Sequence, residues 1–377
     1  MRLRKLLFVV LLFSTPFLSY AQNAKYDSLR VLIDGLKTQL NGTLLIAFGD
    51  SVWFQEANGY LKLYDNPKGY ESMTTAERVR LRNQPANLMQ TNTFFEMASI
   101  SKQFTAAAIL KLISQEKLAL TDSLRKFFPK IPYKSVTIHQ LLSHTSGIPE
   151  YMDFPEEYYD TTRLLTNLDV INVLIKQNPK PLFAPKTRFK YINTNYVILA
   201  AIVAQVSGQS FEEYVRQNIF LPAGMRQTFF VTEKDSRQNK SIASGHLKNK
   251  EEIPPHFMDG TLGDKGVYTN MLELYKWTKA YFIDYKIIPK KWVDLASQKK
   301  NYISGKGKAA ELYGYGLRLE DNELYGSLIY HGGLWHGNHH IWLYRPSDKL
   351  IVICLSNFRN RAHVGLTTKI LQIIDGK

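Results

Sequence analysis

Apolar residues recur along this chain first at helical, then at strand, then again at helical spacing. From Tyr26 to Leu40 the set Leu29, Leu32, Ile33, Leu36 and Leu40 follows a 3.6-residue period, which predicts a helix that stops at Asn41-Gly42. The run GTLLIAFGDSVWFQEANGYLKL then reads as two strands joined at Gly49-Asp50-Ser51, a hairpin. A polar stretch from Tyr64 to Thr93 carries a capping box at Thr74-Thr75-Ala76-Glu77. Phe94 to Leu118 holds a long apolar helix ending near Lys117, and Ile138 to Gly147 a short one closed by Gly147. Asn193 to Gly208 is apolar on every face with a glycine stop, and Ser210-Phe211-Glu212-Glu213 is a second capping box opening a helix that runs to Phe220. From Tyr313 to Phe358 the period switches to two, in YGYGLRLE, SLIYHGG, HHIWLYRP and LIVICLSNF, and His363 to Ile374 returns to an amphipathic helix. Strands at both ends with helices between them predict a mixed α+β fold. There is no internal repeat and no low-complexity linker.

Composition changes this picture at three points. With 377 residues, 45% of them hydrophobic, the chain has ample material for a core and fits one large domain or two. Met1 to Ala21 has the build of a secretory signal: Arg2, Arg4 and Lys5, then LLFVVLLF, then Ser19-Tyr20-Ala21 as a small-x-small cleavage site. Its apolar run is short for a bilayer span, and no cysteine follows it to take a lipid. Export is therefore expected, with a retained anchor as the alternative and no stable span after cleavage. The net charge of +15 falls to +12 without the three leader cations, an excess that favours anionic wall polymers or membrane surfaces. Nucleic acid is not expected as a partner, because the basic residues are dispersed and the chain reads as exported. The single cysteine, Cys354, lies in an apolar strand-like run, which excludes an internal disulfide and predicts a buried, inert thiol.

Candidate chemistry starts at Ser99-Ile100-Ser101-Lys102, the head of the long apolar helix. If Ser99 opens that helix, the three-residue step puts the Lys102 amine one turn on, over the same face as the hydroxyl. A hydroxyl is a weak nucleophile at neutral pH and needs a base within hydrogen-bond reach, a part that a buried lysine can take. The positive end of a helix also favours the alkoxide and disfavours the ammonium. By itself Ser-x-x-Lys is equally a helix cap followed by a solvated lysine, so the reading depends on partners elsewhere. Tyr191-Ile192-Asn193 offers a phenol and an amide just before the second apolar helix, although a buried tyrosine and an asparagine N-cap are the plainer roles. His331-Gly332-Gly333 offers a cation-capable side chain and two glycines at the edge of strand-like sequence. His331, His336, His339 and His340 do not match known zinc spacings, and His339 and His340 would face opposite ways on a strand. No Gly-x-Ser-x-Gly elbow occurs, which argues against a Ser-His-Asp hydrolase.

The order Ser-x-x-Lys, Tyr-x-Asn, His-x-Gly resembles the serine β-lactamase and penicillin-binding family, in its class C β-lactamase, D-alanyl-D-alanine carboxypeptidase and esterase branch. The resemblance runs from about Gly42 to the C-terminus. It is carried further by Leu141-Leu142-Ser143-His144-Thr145-Ser146-Gly147, by Leu221-Pro222-Ala223-Gly224-Met225 and by the glycine-rich stretch from Gly260 to Trp277. It implies one hydrolase domain over residues 22–377. In it, an antiparallel sheet would form from the N-terminal hairpin (residues 42–60) and the C-terminal strands (residues 313–358). A mainly helical part would be inserted between them, with the serine at the seam. It further implies that Ser99 forms an acyl-enzyme, with Lys102 and Tyr191 sharing the proton work as a pair. Asn193 would donate to a substrate amide and help hold Lys102; His331, where many β-lactamases carry lysine, would hydrogen-bond Tyr191 or the substrate. Gly333 would let substrate lie flat, and the amides of Ser99 and Leu334 would form the oxyanion hole. His144 and Ser146 are given backbone-satisfying roles, and Gly263 and Gly266 a close backbone approach to the site. The segment 64–93, longer than the family usually carries, is expected to edge the site, and 151–185 to wall the cleft. No metal or organic cofactor is implied. The substrate is a D-alanyl peptide of cell wall, a β-lactam or a small ester, and His331 leans slightly toward peptidase or esterase. The other reading is a non-catalytic peptidoglycan-binding or sensor protein on the same fold, for which intact Ser99, Lys102 and Tyr191 would be unnecessary. The oligomeric state is not legible.

Overall fold

The computed structural model describes residues 20–36, 39–299, 301–304, 311–359 and 365–377. The charged and apolar parts of the leader, and residues 360–364 ahead of the last helix, lie outside them. In chain order the elements begin with α1 (Tyr20–Leu36), β1 (Gly42–Phe48), β2 (Ser51–Asn58), α2 (Thr75–Arg82), β3 (Phe95–Glu96), α3 (Lys102–Ser114) and α4 (Ile138–Leu142). There follow α5 (Asn167–Gln177), α6 (Thr194–Ser207), α7 (Phe211–Val215), β4 (Phe229–Phe230), β5 (Val267–Thr269), α8 (Met271–Thr278) and α9 (Lys290–Ala296). The chain closes with β6 (Asn301–Ser304), β7 (Glu311–Tyr313), β8 (Arg318–Asn322), β9 (Gly326–Trp335), β10 (Asn338–Arg345), β11 (Leu350–Ser356) and α10 (Leu366–Asp375).

One eight-stranded antiparallel sheet, in the order β2-β1-β11-β10-β9-β8-β7-β6, joins the two ends of the chain, because β1 pairs with β11 along its whole length. The hydrophobic pattern requires this closure. In β1, Leu44 and Ile46 pack with Leu29, Ile33 and Ile370 of α1 and α10, whereas Leu45 and Ala47 face a second core containing Phe104 and Trp277 of α3 and α8. Side chains that alternate between two buried faces make a strand apolar throughout, and all seven residues of β11 are buried. The helices α2 to α9 are inserted between β2 and β6, as the α+β reading expected. Cys354 is buried on β11, and burial pushes its thiol up to about 12, which keeps it protonated and unreactive.

The structure corrects several local expectations. The first helix ends at Leu36, and Asn41-Gly42 is no helix stop: Gly42 opens β1, where a Cβ would sit 1.9 Å from the Leu355 carbonyl oxygen. The Asn41 amide instead donates to Tyr60 O and Asn357 Oδ1. The capping box at Thr74 and Glu77 forms, but at Ser210 only the serine half does, accepting from Glu213 N, while the Glu213 carboxylate takes Gln217. YGYGLRLE is broken after Tyr313, so that β7 and β8 are separate, and β6 is an additional strand. Segment 64–93 packs on residues 249–252 through Asp65–Lys250, Asn66–Asn249 and Tyr70–Glu252. Among the described residues, no helix is long and apolar enough to cross a membrane.

Candidate active site

The seam of the sheet and the helical part is built on a strained turn. After β3 the chain reverses through Ala98, whose φ of +48° is left-handed, a conformation that costs an L residue about 1–2 kcal/mol. Glu96 holds the turn: its carboxylate accepts from Ala98 N at 2.9 Å and from Gly266 N at 2.8 Å. Burial pushes that carboxyl up to about 8, against the pull of those amides and of Lys265. Ser99 therefore lies in a single 3-10 turn, residues 98–101, that runs directly into α3.

Lys102, fully buried, sits one turn on. Its Nζ is 3.0 Å from Ser99 Oγ, 2.8 Å from Asn193 Oδ1 and 2.8 Å from the carbonyl oxygen of Asp264. These contacts match the three donors of an ammonium. A neutral amine has one donor fewer and a lone pair, and two of its neighbours are carbonyl oxygens that cannot donate. The lone pair must then face the Ser99 hydroxyl, the only partner with a proton to give. Of the three contacts of Lys102 Nζ, Ser99 Oγ is the one that also carries a proton.

Asn193 does not cap α6. Its backbone is already helical (φ −67°, ψ −35°) and its side chain makes no capping bond. Glu150 supplies the cap from another segment, accepting from Asn193 N at 2.7 Å and from Nδ2 at 3.1 Å, which turns Oδ1 toward Lys102. Burial holds the Glu150 carboxyl above the usual carboxylate range. Gly263 makes room for the Asp264 carbonyl: it has a φ of +97°, and a Cβ there would lie 2.4 Å from Tyr196 O.

Tyr191 brings its ring centre to 5.0 Å from Lys102 Nζ, and its buried hydroxyl has no hydrogen-bond partner among the described residues. His331 makes no bond to that hydroxyl. Its Nδ1 donates to Gly332 O at 2.7 Å and its Nε2 lies 3.3 Å from Tyr313 Oη. Burial, then the positive charge of Arg318, hold His331 well below the ordinary histidine value, so it stands here as a neutral acceptor. Gly333 lets β9 pass the nucleophile turn, since a Cβ there would sit 2.4 Å from Met97 O. Ser99, Tyr191, Arg318, His331, Gly333 and Leu334 line one cavity of about 400 Å³, Leu334 at its exposed rim. No residue of 64–93 or of 151–185 lines that cavity; from the second segment Tyr151 Oη donates to Asp264 Oδ2 at 3.1 Å and the Met152 sulfur lies 3.9 Å from Asn193 Nδ2.

Four contributors escaped the sequence reading: Glu96, Glu150, the Asp264 carbonyl and Arg318. Glu96, three residues before the serine, left a faint local signal. Arg318 stands on β8 with its guanidinium carbon 5.5 Å from the Tyr191 ring centre, and only the sheet register places it there.

The family profile described as Beta-lactamase matches residues 63–373. Penicillin-binding protein 4* of Bacillus subtilis (strain 168) is 29% identical over 338 residues, covering 86% of this chain and 69% of that protein. The octameric penicillin-binding protein homologue from Pyrococcus abyssi superposes with a TM-score of 0.76 at 27% identity, over 93% of this chain and 77% of that one. The penicillin-binding protein from Bacillus halodurans gives 0.72 at 24% identity, over 92% and 98%, and supports the fold alone.

Proposed function

The chain belongs to the beta-lactamase family of serine hydrolases, which act on amides and esters, and from that premise we propose that it hydrolyses a D-alanyl peptide through an acyl-enzyme on Ser99. The observation that carries this is the Lys102 amine, held by two carbonyl oxygens so that its third contact is the Ser99 hydroxyl. Ser99 Oγ attacks the scissile carbonyl as its proton passes to the Lys102–Tyr191 pair. The Tyr191 hydroxyl, without a partner in the cavity, is the group that hands the proton to the departing amine. The amides of Ser99 and Leu334 would receive the oxyanion, a donor of this kind being worth about 3 kcal/mol in the barrier. The second Nδ2 hydrogen of Asn193, beyond the one given to Glu150, meets only the Met152 sulfur at 3.9 Å, a weak acceptor that a substrate carbonyl would displace. Water then releases the acyl group.

Arg318 ranks the substrates. A cation 5.5 Å from the ring of Tyr191, the group that would protonate the leaving amine, suits a leaving group that carries its own carboxylate. A terminal D-alanine has one, and so does a β-lactam; a simple ester does not. Export to the cell envelope is part of the proposal, supported by the basic, apolar and small-x-small run at residues 1–21.

The test is labelling with a fluorophosphonate and with a fluorescent penicillin, followed by peptide mapping. Turnover of a D-Ala-D-Ala peptide, nitrocefin and p-nitrophenyl esters is then compared. Acylation of Ser99 that is absent in Ser99→Ala, with the peptide preferred, is the expected result. Failure of every reagent to acylate Ser99 would overturn the enzyme reading.

A further inference from the structure

The turn after α4 contains a residue placed at a conformational cost. His144 has a φ of +55°, in the left-handed region that glycine enters freely and that asparagine, aspartate and histidine enter more often than other side-chain residues. The turn delivers its ring, fully buried, against Tyr191, with ring centres 4.4 Å apart and planes at 32°. Tyr196 at 5.1 Å and Tyr313 at 4.8 Å close the cage around it.

The backbone contacts are more specific than the packing. Lys190 N donates to the His144 carbonyl oxygen at 3.1 Å, and Ile192 N donates to His144 Nδ1 at 3.1 Å. The N–H groups of the two residues that flank Tyr191 therefore hang on one residue. Ile192 is fully buried, so without Nδ1 its N–H would have neither the ring nor water to bond. Since Nδ1 accepts, the neutral ring carries its hydrogen on Nε2. Burial, followed by the charge of Lys102, keeps the ring neutral and so keeps Nδ1 an acceptor.

We infer that His144 is a positioning residue for Tyr191, fixing the backbone on either side of the phenol by two hydrogen bonds and its ring plane by contact. The inference rests on the reading of Tyr191 as proton carrier. His144 acts through Tyr191, so its contribution vanishes when the phenol oxygen is removed. A residue that merely stabilised the fold would keep its effect in that background.

The experiment is a double-mutant cycle on hydrolysis of a D-Ala-D-Ala peptide, whose departing amine needs the proton that Tyr191 carries, reading kcat and KM separately, with circular dichroism as the check on folding. His144→Gly and His144→Asn both tolerate the left-handed backbone, but only asparagine offers an oxygen where Nδ1 stands. His144→Gly is expected to lower kcat about a hundredfold with KM within about threefold, the scale of a small misplacement of a catalytic group. His144→Asn should recover to within about tenfold of the wild type, and His144→Gly with Tyr191→Phe should be no slower than Tyr191→Phe alone. Losses that multiply in the double variant, or an asparagine variant as slow as the glycine one, would overturn the inference while leaving the Tyr191 reading intact. An unchanged kcat in Tyr191→Phe alone would overturn both. Should the glycine variant not fold, the same cycle run with His144→Asn decides: any residual loss must disappear in the Tyr191→Phe background, and persistence overturns the inference.

Discussion

Replacing Lys102 by methionine separates catalysis from stability at the centre of the site. The substitution keeps the unbranched stem that packs in the core and deletes only the amine. Two buried carbonyl acceptors, Asn193 Oδ1 and Asp264 O, then lose their partner, each at about 1–3 kcal/mol. Against this, the wild type keeps a polar amine out of water, with a desolvation penalty of several kcal/mol that the variant no longer carries. The opposing effects are of similar size, so the melting temperature should move by no more than about 5 °C, given that about 1 kcal/mol shifts a domain of this order by a few degrees. Catalysis has no such compensation. On the proposed mechanism Ser99 loses the amine in contact with its oxygen, and acylation should slow by about 10²- to 10⁴-fold, the range of a general base. Stopped-flow release of p-nitrophenol reads the acylation burst, and differential scanning fluorimetry reads the melt. Acylation within tenfold of the wild type would refute the assignment of the base. A melt lowered by 15 °C with no acylation would refute the energy balance, because the amine would then be a structural pin.

Three further outcomes follow from named contacts. Arg318→Leu should raise KM for a D-Ala-D-Ala peptide by about 10- to 100-fold, the worth of a hydrogen bond to a charged group, and leave p-nitrophenyl acetate nearly untouched; equal effects on both substrates would place the arginine elsewhere in the reaction. Gly333→Ala puts a Cβ 2.4 Å from Met97 O, so β9 must move off the nucleophile turn and kcat/KM should fall at least about tenfold, read by steady-state kinetics; full activity would mean that β9 is not fixed there. Burial holds His144, His246 and His331 below the ordinary histidine value of 6.5, so each adds stability that is complete above pH 6.5 and is lost as pH falls through its lowered folded value, while the raised carboxyls of Glu96 and Glu150 act in the opposite sense over the same fall; the histidine part is therefore read as a difference, and the melting-temperature advantage of the wild type over His246→Asn should shrink on acidification from pH 7 to pH 5, a constant or growing difference contradicting burial of His246 as a neutral ring.

What the sequence makes legible here is what a fixed short spacing or a repeated period can carry. The Ser99–Lys102 step is one helical turn, and the apolar runs of β1 and β11 announce strands buried on both faces. The partners that complete the site obey no such local rule. Asn193 and Asp264 reach Lys102 from 91 and 162 residues away, one through an amide that looks like a cap in the sequence and one through a carbonyl that every residue possesses. The cap reading failed because Glu150, 43 residues earlier, satisfies the helix end and frees the Asn193 oxygen to turn inward. Of the two partners expected for His331, Tyr191 or the substrate, the first is not bonded to it, for the same kind of reason. Tyr313, at the end of β7, lies within reach of His331 Nε2, and nothing in the order of residues sets the β7–β8–β9 register that puts it there.

The same division explains why the site can hold a buried lysine beside a strained turn. Each of the long-range contacts comes from the stretch 263–267 or from the start of α6, and the first of these is locked to the serine turn and α3 by other bonds: Thr105 to Gly263 O, Val267 N to Ser101 Oγ, and Met97 N to Val267 O. The left-handed Ala98 and the desolvated amine are local costs that a helix in isolation could not sustain. They persist because the pairing of β1 with β11 closes the sheet, and the second core behind it fixes α3, α6 and α8 relative to one another. A substitution that loosened that core without touching the cavity, such as Trp277→Ala beneath α3, should therefore slow Ser99 acylation as well as lower the melt, since it removes a buried ring in contact with Phe104 and the hydrogen bond to Gln103 that tie α8 to the nucleophile helix. The loss expected from such a truncation is about 3–5 kcal/mol of stability; an acylation rate unchanged in the fraction still folded would mean that the turn and the lysine are held by their own hydrogen bonds alone.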